Sequence, residues 1–316
     1  MIIGTRGSQL ALAQTENVAR LLEELGVETS VNIIKTSGDR FTDRPLHVVS
    51  SGVGAFVREL DDVMFAGKID IAVHSMKDMP TVRPASLSTA AVLKRDTPFD
   101  ILLTYDGTTL DELPELSVIG TSSLRRAAQI RRYRPDLVTQ DLRGNIDTRL
   151  RKLKEGKYDG ILLAKAGLER MGWELEGEIL SPDFFCPSPN QGTVAVVTRV
   201  GTEAEAAVAK LDHNESRIVT EIERILISEL GGGCTTPLGS YAEIMLDGKQ
   251  MRVRAEVLSL DGEETIRIDE FIPMRGGIEK ARELGQRLVK MGGKRLAEEA
   301  LLQLSRDSCD LGDLYD

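Results

Sequence analysis

Ile3-Gly4-Thr5-Arg6-Gly7-Ser8 near the amino terminus and Ile119-Gly120-Thr121-Ser122-Ser123 farther on decide how the chain is read. Both are a short apolar strand, then Gly-Thr, then a hydroxyl residue suited to cap a helix. They lie 116 residues apart. Each leaves hydroxyls and free backbone N–H groups at a helix N-terminus, where anions are favoured. The repetition points to two lobes of similar design with a cleft between them.

Strand and helix patterns alternate around both copies. Ser8 caps a helix whose apolar stripe is Leu10, Ala13, Val18, Leu21, Leu22 and Leu25. Residues 27–34 alternate as a strand. A second helix carries Phe56, Leu60, Val63 and Met64 on its apolar side, with Arg58, Glu59, Asp61 and Asp62 on the wet side. Strands are expected at 69–73, 100–104, 117–119 and 160–164, with helices near 123–133 and 145–155. This is an α/β pattern. After about residue 213 the character changes. A long amphipathic helix over 212–230 is stopped by Gly231-Gly232-Gly233. Strands follow at 238–246, 251–258 and 264–272, then helices at 277–291 and 293–304, which suggests a small α+β domain. Residues 305–316 are polar and expected to fray.

Composition narrows the function classes. The 316 residues are 41% hydrophobic and 28% charged, an ordinary globular profile. No apolar run approaches the roughly 18 residues of a membrane span, and the first residues lack a signal-peptide layout. Three cysteines without metal-ligand spacing disfavour disulfide scaffolds and metal sites, so a reducing cytoplasm is expected and no metal. A net charge of −10 and 4% aromatic residues argue against nucleic acid as a partner. Charge is uneven, however. Residues 120–154 hold eight Arg and two Lys against three Asp, which suits either a small polyanion or a solvated helix face.

Three segments carry chemistry-bearing residues. In Ile71-Ala72-Val73-His74-Ser75-Met76-Lys77-Asp78-Met79-Pro80, an apolar strand runs into Ser, Lys and Asp. Ligands of open α/β sheets sit beyond such strand ends, and a carboxylate there can move protons. A surface ion pair of Lys77 with Asp78 is the plainer alternative, and His74 reads as a satisfied core histidine. Arg125, Arg126, Arg143 and Arg149 lie near strand-to-helix junctions, where planar guanidinium suits carboxylate clamping. Arg131, Arg132, Arg134 and Arg151 lie farther away and read as surface charges. Cys234, in a glycine loop at a domain boundary, is a candidate for covalent chemistry. No Gly-x-Gly-x-x-Gly follows the first strand and no phosphate-loop motif occurs, which disfavours a nucleotide enzyme. A two-lobed binding protein without catalysis is the main rival, but it gives no role to Asp78 together with Cys234.

Seven stretches, taken in order, resemble the porphobilinogen deaminases, also called hydroxymethylbilane synthases. They are Thr5-Arg6-Gly7-Ser8-Gln9-Leu10-Ala11, His74-Ser75-Met76-Lys77-Asp78, Gly120-Thr121-Ser122-Ser123-Leu124-Arg125-Arg126, Leu142-Arg143-Gly144-Asn145 through Thr148-Arg149-Leu150, Ala166-Gly167-Leu168-Glu169-Arg170, Asn190-Gln191-Gly192 and Gly232-Gly233-Cys234. The resemblance implies an α/β fold of two periplasmic-binding-protein-like (type II) lobes plus a small C-terminal α+β domain. The first lobe would be 1–93 with 193–211, the second 98–188, and the C-terminal domain 214–316. It implies a transferase of tetrapyrrole biosynthesis that joins four porphobilinogen molecules head to tail with loss of ammonia, then releases hydroxymethylbilane by hydrolysis. The implied cofactor is a dipyrromethane held by a thioether to Cys234. Asp78 would be the catalytic carboxylate. Arg6, Ser8, Ser75, Lys77, Thr121, Ser123, Arg125, Arg126, Arg143, Gly144, Asn145, Arg149, Arg170 and Gln191 would bind cofactor or substrate, with Gln191 near the hinge or cleft between lobes. A monomer that hands its product to the next enzyme of the pathway, without nucleic acid or membrane partners, completes the expectation.

One stretch departs from the family. Many members carry Gly-Gly-Lys-Gly before the helix at 55–66, in a loop that the resemblance makes a lid. Here Val48-Val49-Ser50-Ser51-Gly52-Val53-Gly54-Ala55-Phe56 has no lysine, and Phe56 is left to stack near the pyrroles.

Overall fold

A computed structural model describes residues 1–34, 54–231 and 236–312; of residues 55, 56 and 305–312 it describes the backbone alone. The chain divides into two compact units. Unit 1 is Met1–Pro98, Ala166–Glu174 and Gln191–Ile218; unit 2 is Phe99–Lys165, Leu175–Asn190 and the chain from Val219 onward.

Unit 1 opens with β1 (Ile2–Thr5), α1 (Gln9–Glu24), β2 (Ser30–Ile33), α2 (Gly54–Phe65), β3 (Ile71–Ser75) and β4 (Leu87–Val92). Unit 2 follows with β5 (Asp100–Thr104), β6 (Val118–Gly120), α3 (Leu124–Tyr133), β7 (Val138–Gln140), α4 (Ile146–Lys154) and β8 (Gly160–Ala164). The chain returns to unit 1 through α5 (Lys165–Arg170), adds β9 (Glu178–Ile179) to unit 2, then β10 (Val194–Arg199) and α6 (Glu203–Val208) to unit 1. Helix α7 (Asn214–Leu230) starts in unit 1 and ends in unit 2, before β11 (Leu238–Ile244), β12 (Gln250–Leu258), β13 (Thr265–Pro273), α8 (Gly277–Lys290) and α9 (Gly293–Gly312).

The two larger sheets share one plan. Unit 1 has the order β2-β1-β3-β10-β4 and unit 2 the order β7-β6-β8-β5-β9. In each, the second strand is parallel to the first and third, and the fourth is antiparallel to both neighbours. The Gly-Thr echo therefore falls on corresponding strands, β1 and β6. Both glycines are needed for packing. A Cβ at Gly4 would lie 2.4 Å from Ile69 Cδ1, and one at Gly120 would lie 2.8 Å from Tyr158 Cδ1. Ile69 and Tyr158 each sit two residues before the next parallel strand, so the two contacts correspond as well.

In unit 1, Ile3, Ile71, Val73 and Val196 pack on Val18 and Leu22 of α1, while Ala72, Ala195 and Val197 meet Val57, Leu60 and Met64 of α2. In unit 2, Ile119, Leu102 and Leu162 pack with Ile130, Leu110 and Phe185. The three-stranded antiparallel sheet β11-β12-β13 carries the alternating core residues Met251, Val253, Ala255 and Val257. Among the described residues no helix is long and apolar enough to cross a membrane.

Several local expectations need correction. Strand β2 begins only at Ser30, and all four of its residues are exposed because it is the edge strand, so no face of it alternates into the core. Asp61 is not on a wet face. It is buried and accepts two 2.8 Å hydrogen bonds from the Arg83 guanidinium. Arg132 and Arg134 are half-buried structural cations paired with Glu256 and Asp136, and Arg131 donates to Leu260 O and Thr139 Oγ1. Only Arg151 of that group is a surface charge, 68% exposed. Helix α9 continues to Gly312 where fraying was expected.

His74 is a core residue, as expected, but not a satisfied one: its Nε2 is buried without a hydrogen-bond partner among the described residues. Burial, then the charges of Arg83 and Arg6, push it down to about 3. The folded state thus resists a proton that the unfolded chain accepts near pH 6.5. Stability is fully present above that value and falls as pH drops toward 3, by about 1.4 kcal/mol per unit. Denaturant unfolding should show the wild type losing about 2 kcal/mol more than His74→Gln between pH 7.5 and 5. Parallel pH curves for the two proteins would contradict this.

Candidate functional site

In unit 1 the candidate residues gather where β1 and β3, adjacent parallel strands, end on one edge. Arg6 follows β1, and Ser8 caps α1 by accepting from Ala11 N at 3.3 Å. Ser75 ends β3, and its Oγ accepts from Gln14 Nε2 of α1 at 2.8 Å. A 3-10 turn, Met76–Asp78, follows at once, because Met76 N donates to Thr193 O and Met79 N donates back to Met76 O. The buried side chains of Met76 and Met79 anchor this turn, which leaves Lys77 and Asp78 half-buried at the strand end. Among the described residues, none hydrogen-bonds or ion-pairs with the Asp78 carboxylate. The surface ion pair with Lys77 that was the alternative for this segment does not form.

Unit 2 repeats the arrangement after β6. Thr121 is buried, and its Oγ1 accepts from Ser123 N at 3.2 Å. Ser123 caps α3. Helix α3 then turns Arg125 and Arg126 inward onto Asp100, the first residue of β5. Arg125 Nη1 donates to Asp100 Oδ2 at 2.8 Å, and Arg126 Nε and Nη2 donate to Oδ1 at 3.1 and 2.7 Å. Burial alone would raise the Asp100 carboxyl, but the charges and hydrogen bonds of both arginines hold it well below the usual range. Arg126 also gives Nη1 to Leu162 O, so each of its nitrogens donates into the interior. Arg125 differs. All its hydrogen bonds leave from Nη1, to Asp100, Gln129 Oε1 and Cys186 O. Among the described residues its Nε and Nη2 make none, which leaves one edge of the guanidinium for a carboxylate.

Arg149 lies on α4 and donates Nε to Gly144 O at 2.8 Å. Gly144 has φ +110°, and a Cβ there would lie 2.6 Å from Thr148 Cγ2, so only glycine makes this turn. Burial, then the neighbouring charge of Arg126, push Arg149 down to about 10. No carboxylate pairs with it among the described residues. A cation destabilised in this way is stabilised by an incoming anion. Asn145 caps α4 through its backbone and leaves its exposed side chain out of the cap. Arg143 pairs loosely with Asp141 at 3.2 Å.

Two predicted residues lie elsewhere in unit 1. Arg170 donates to Asp96 Oδ2 at 2.7 Å and Gly192 O at 2.6 Å. Gln191 is buried, donates Nε2 to Pro98 O at 2.8 Å, and its carbonyl accepts from Arg95 Nε. Pro98 and Gln191 are residues at which the chain leaves and re-enters unit 1, so both arginine and glutamine bind chain crossings together. Cys234 and the stretch 48–53 lie outside the described residues, and of Phe56 only the backbone, in α2, is described.

Sequence reading missed Asp100 and Glu256. Asp100 had a signal: it is the only charged residue in the strand Asp100-Ile101-Leu102-Leu103-Thr104, beside a helix rich in arginine. Glu256 had none, because alternation along β12 puts it on the side opposite Val253 and Val257, which reads as solvated.

Comparisons with known proteins agree with one another. Residues 1–207 match the family model described as porphobilinogen deaminase, dipyromethane cofactor binding domain, and residues 218–291 match porphobilinogen deaminase, C-terminal domain. A probable porphobilinogen deaminase of Methanosarcina barkeri is 84% identical over 316 residues, covering 100% of both chains. The porphobilinogen deaminase of Syntrophobacter fumaroxidans is 41% identical, covering 94% of this chain and 96% of its own. Among solved structures, a periplasmic substrate-binding protein of an ABC transporter from Coxiella burnetii is 11% identical, with TM-score 0.41, over 71% of this chain and 96% of its own. That likeness is weak and carries no argument; the strand orders show two mixed α/β sheets of one plan, followed by a three-stranded antiparallel sheet and α8 in the part matched as the C-terminal domain. With family matches over both parts of the sequence and relatives along its full length, the chain belongs to the porphobilinogen deaminase family.

Proposed function

We propose that this chain joins four porphobilinogen molecules head to tail, with loss of ammonia at each condensation, and releases linear hydroxymethylbilane by hydrolysis. The observation that supports the site assignment is that, among the described residues, no cation pairs with the Asp78 carboxylate in unit 1 and no carboxylate pairs with Arg149 in unit 2. Each porphobilinogen ring bears an acetate and a propionate, so every condensation adds anions that need cationic partners. The dipyrromethane of the family fits the same residues, since it carries the same carboxylates. When bound, it supplies the primer to which incoming rings are added.

The residues divide the work by chemistry. Arg149, the free edge of Arg125 and the more exposed Arg143 bind ring carboxylates, with Thr121, Ser123, Gly144 and Asn145 shaping the strand ends that hold them. Arg126 acts through its charge and by holding Asp100. In unit 1, Arg6, Ser8, Ser75 and Lys77 take further carboxylates. Phe56 stacks near the pyrroles, and Gln191 and Arg170 serve the chain crossings. As ammonia leaves, positive charge develops on the substrate pyrrole, and Asp78 stabilises it and holds the pyrrole N–H. Cys234 anchors the primer through a thioether and therefore needs no neighbouring base. The working domains are 1–93 with 193–211, 98–188 and 214–316, in a cytoplasmic monomer that passes its product to the enzyme consuming it.

Intact mass of purified protein should exceed the sequence mass by a two-ring pyrrole adduct, and peptide mapping should place it on Cys234. Active protein with an unmodified Cys234 would refute the anchor. Asp78→Asn should keep the adduct yet release ammonia at least about a hundredfold more slowly; wild-type turnover would remove its catalytic role.

A further inference from the structure

Glu256, on β12, is a carboxylate with no solvent exposure that the reaction above does not use. Its Oε2 accepts from Arg132 Nη1 at 3.0 Å and Arg267 Nη1 at 3.2 Å. Its Oε1 accepts from Gln129 Nε2 at 2.6 Å. Gln129 is fully buried on α3, and its Nε2 also donates to Cys186 O at 2.8 Å. Both amide hydrogens are thereby committed, and the amide oxygen is turned to Arg125 Nη1 at 2.9 Å. A carboxylate only accepts. Glu256, together with the Cys186 carbonyl, therefore dictates which end of the Gln129 amide meets Arg125.

We propose that Glu256 is a positioning residue for Arg125. By fixing the polarity of Gln129, it draws Nη1 inward and leaves the Nε–Nη2 edge for a ligand carboxylate. An amide at 256 can donate as well as accept, so of the two obligate acceptors on Gln129 Nε2 only Cys186 O remains. The Gln129 amide is then held less firmly, and each excursion that turns its NH2 to Arg125 Nη1 sets donor against donor and loosens the guanidinium's inward geometry.

This rests on Arg125 contacting a ligand carboxylate, as proposed above, and Arg125→Met tests that separately. If Arg125→Met leaves the porphobilinogen KM and the adduct-bearing fraction unchanged, that reading falls and this one with it. If Arg125→Met impairs either, Glu256→Gln decides. It should raise KM about tenfold with kcat within about twofold, and lower the adduct-bearing fraction seen by intact mass. Arg267→Gln removes an ionic contact from the same carboxylate but leaves Gln129 in place. It should cost similar thermal stability without moving KM. An unchanged KM in Glu256→Gln, or an equal rise in Arg267→Gln, overturns the proposal. Should Glu256→Gln fail to fold, Gln129→Met takes its place in the same assays, and an unchanged KM there overturns it equally.

Discussion

One carboxylate holds two guanidiniums in the interior of unit 2. Asp100, Arg125 and Arg126 are all buried, and the carboxylate pairs with both guanidiniums. Much else follows from that contact. It turns the first turn of α3 toward β5 and gives Arg126 its place beside Arg149. It also leaves a net positive charge next to a helix end. An acidic protein thereby keeps a cationic point at the end of a strand, where the proposed function calls for one.

The two large sheets explain why such points recur. Parallel strands bring their C-terminal ends to one edge, and in both units a Gly-Thr pair stands at the end of the second strand of the order. Glycine is fixed there by the side chain that precedes the next parallel strand. The same plan carries different chemistry in each unit. Unit 1 ends β3 in a 3-10 turn that presents Asp78, whereas unit 2 continues β8 into α5.

Much of this was legible in the sequence. The Gly-Thr echo, the strands at 100–104 and 160–164, and the helix stripes all reflect periodicity, which survives in a single sequence because it is set by burial along one element. What escaped was set by partners far away in the chain. Asp61 looks solvated on its helix until Arg83 is placed over it. Glu256 alternates like a surface residue because the side of β12 opposite the apolar core is covered by α3, a relation that no local pattern encodes. The exposure of β2 follows from being an edge strand, and edges are properties of a sheet order. Of the candidate site, residue types and spacing pointed to strand ends at which the structure gathers several of the residues. They did not show that Arg126 is committed inward while, among the described residues, Arg125 retains an edge and Arg149 lacks a counter-ion.

Urea unfolding of Asp100→Asn tests the dependence on this buried carboxylate most directly. With both guanidiniums left uncompensated, unfolding free energy should fall by about 3–5 kcal/mol, and adding Arg126→Met should recover part of it. A variant within about 1 kcal/mol of wild type would mean that the arginines are held without Asp100, contrary to this account.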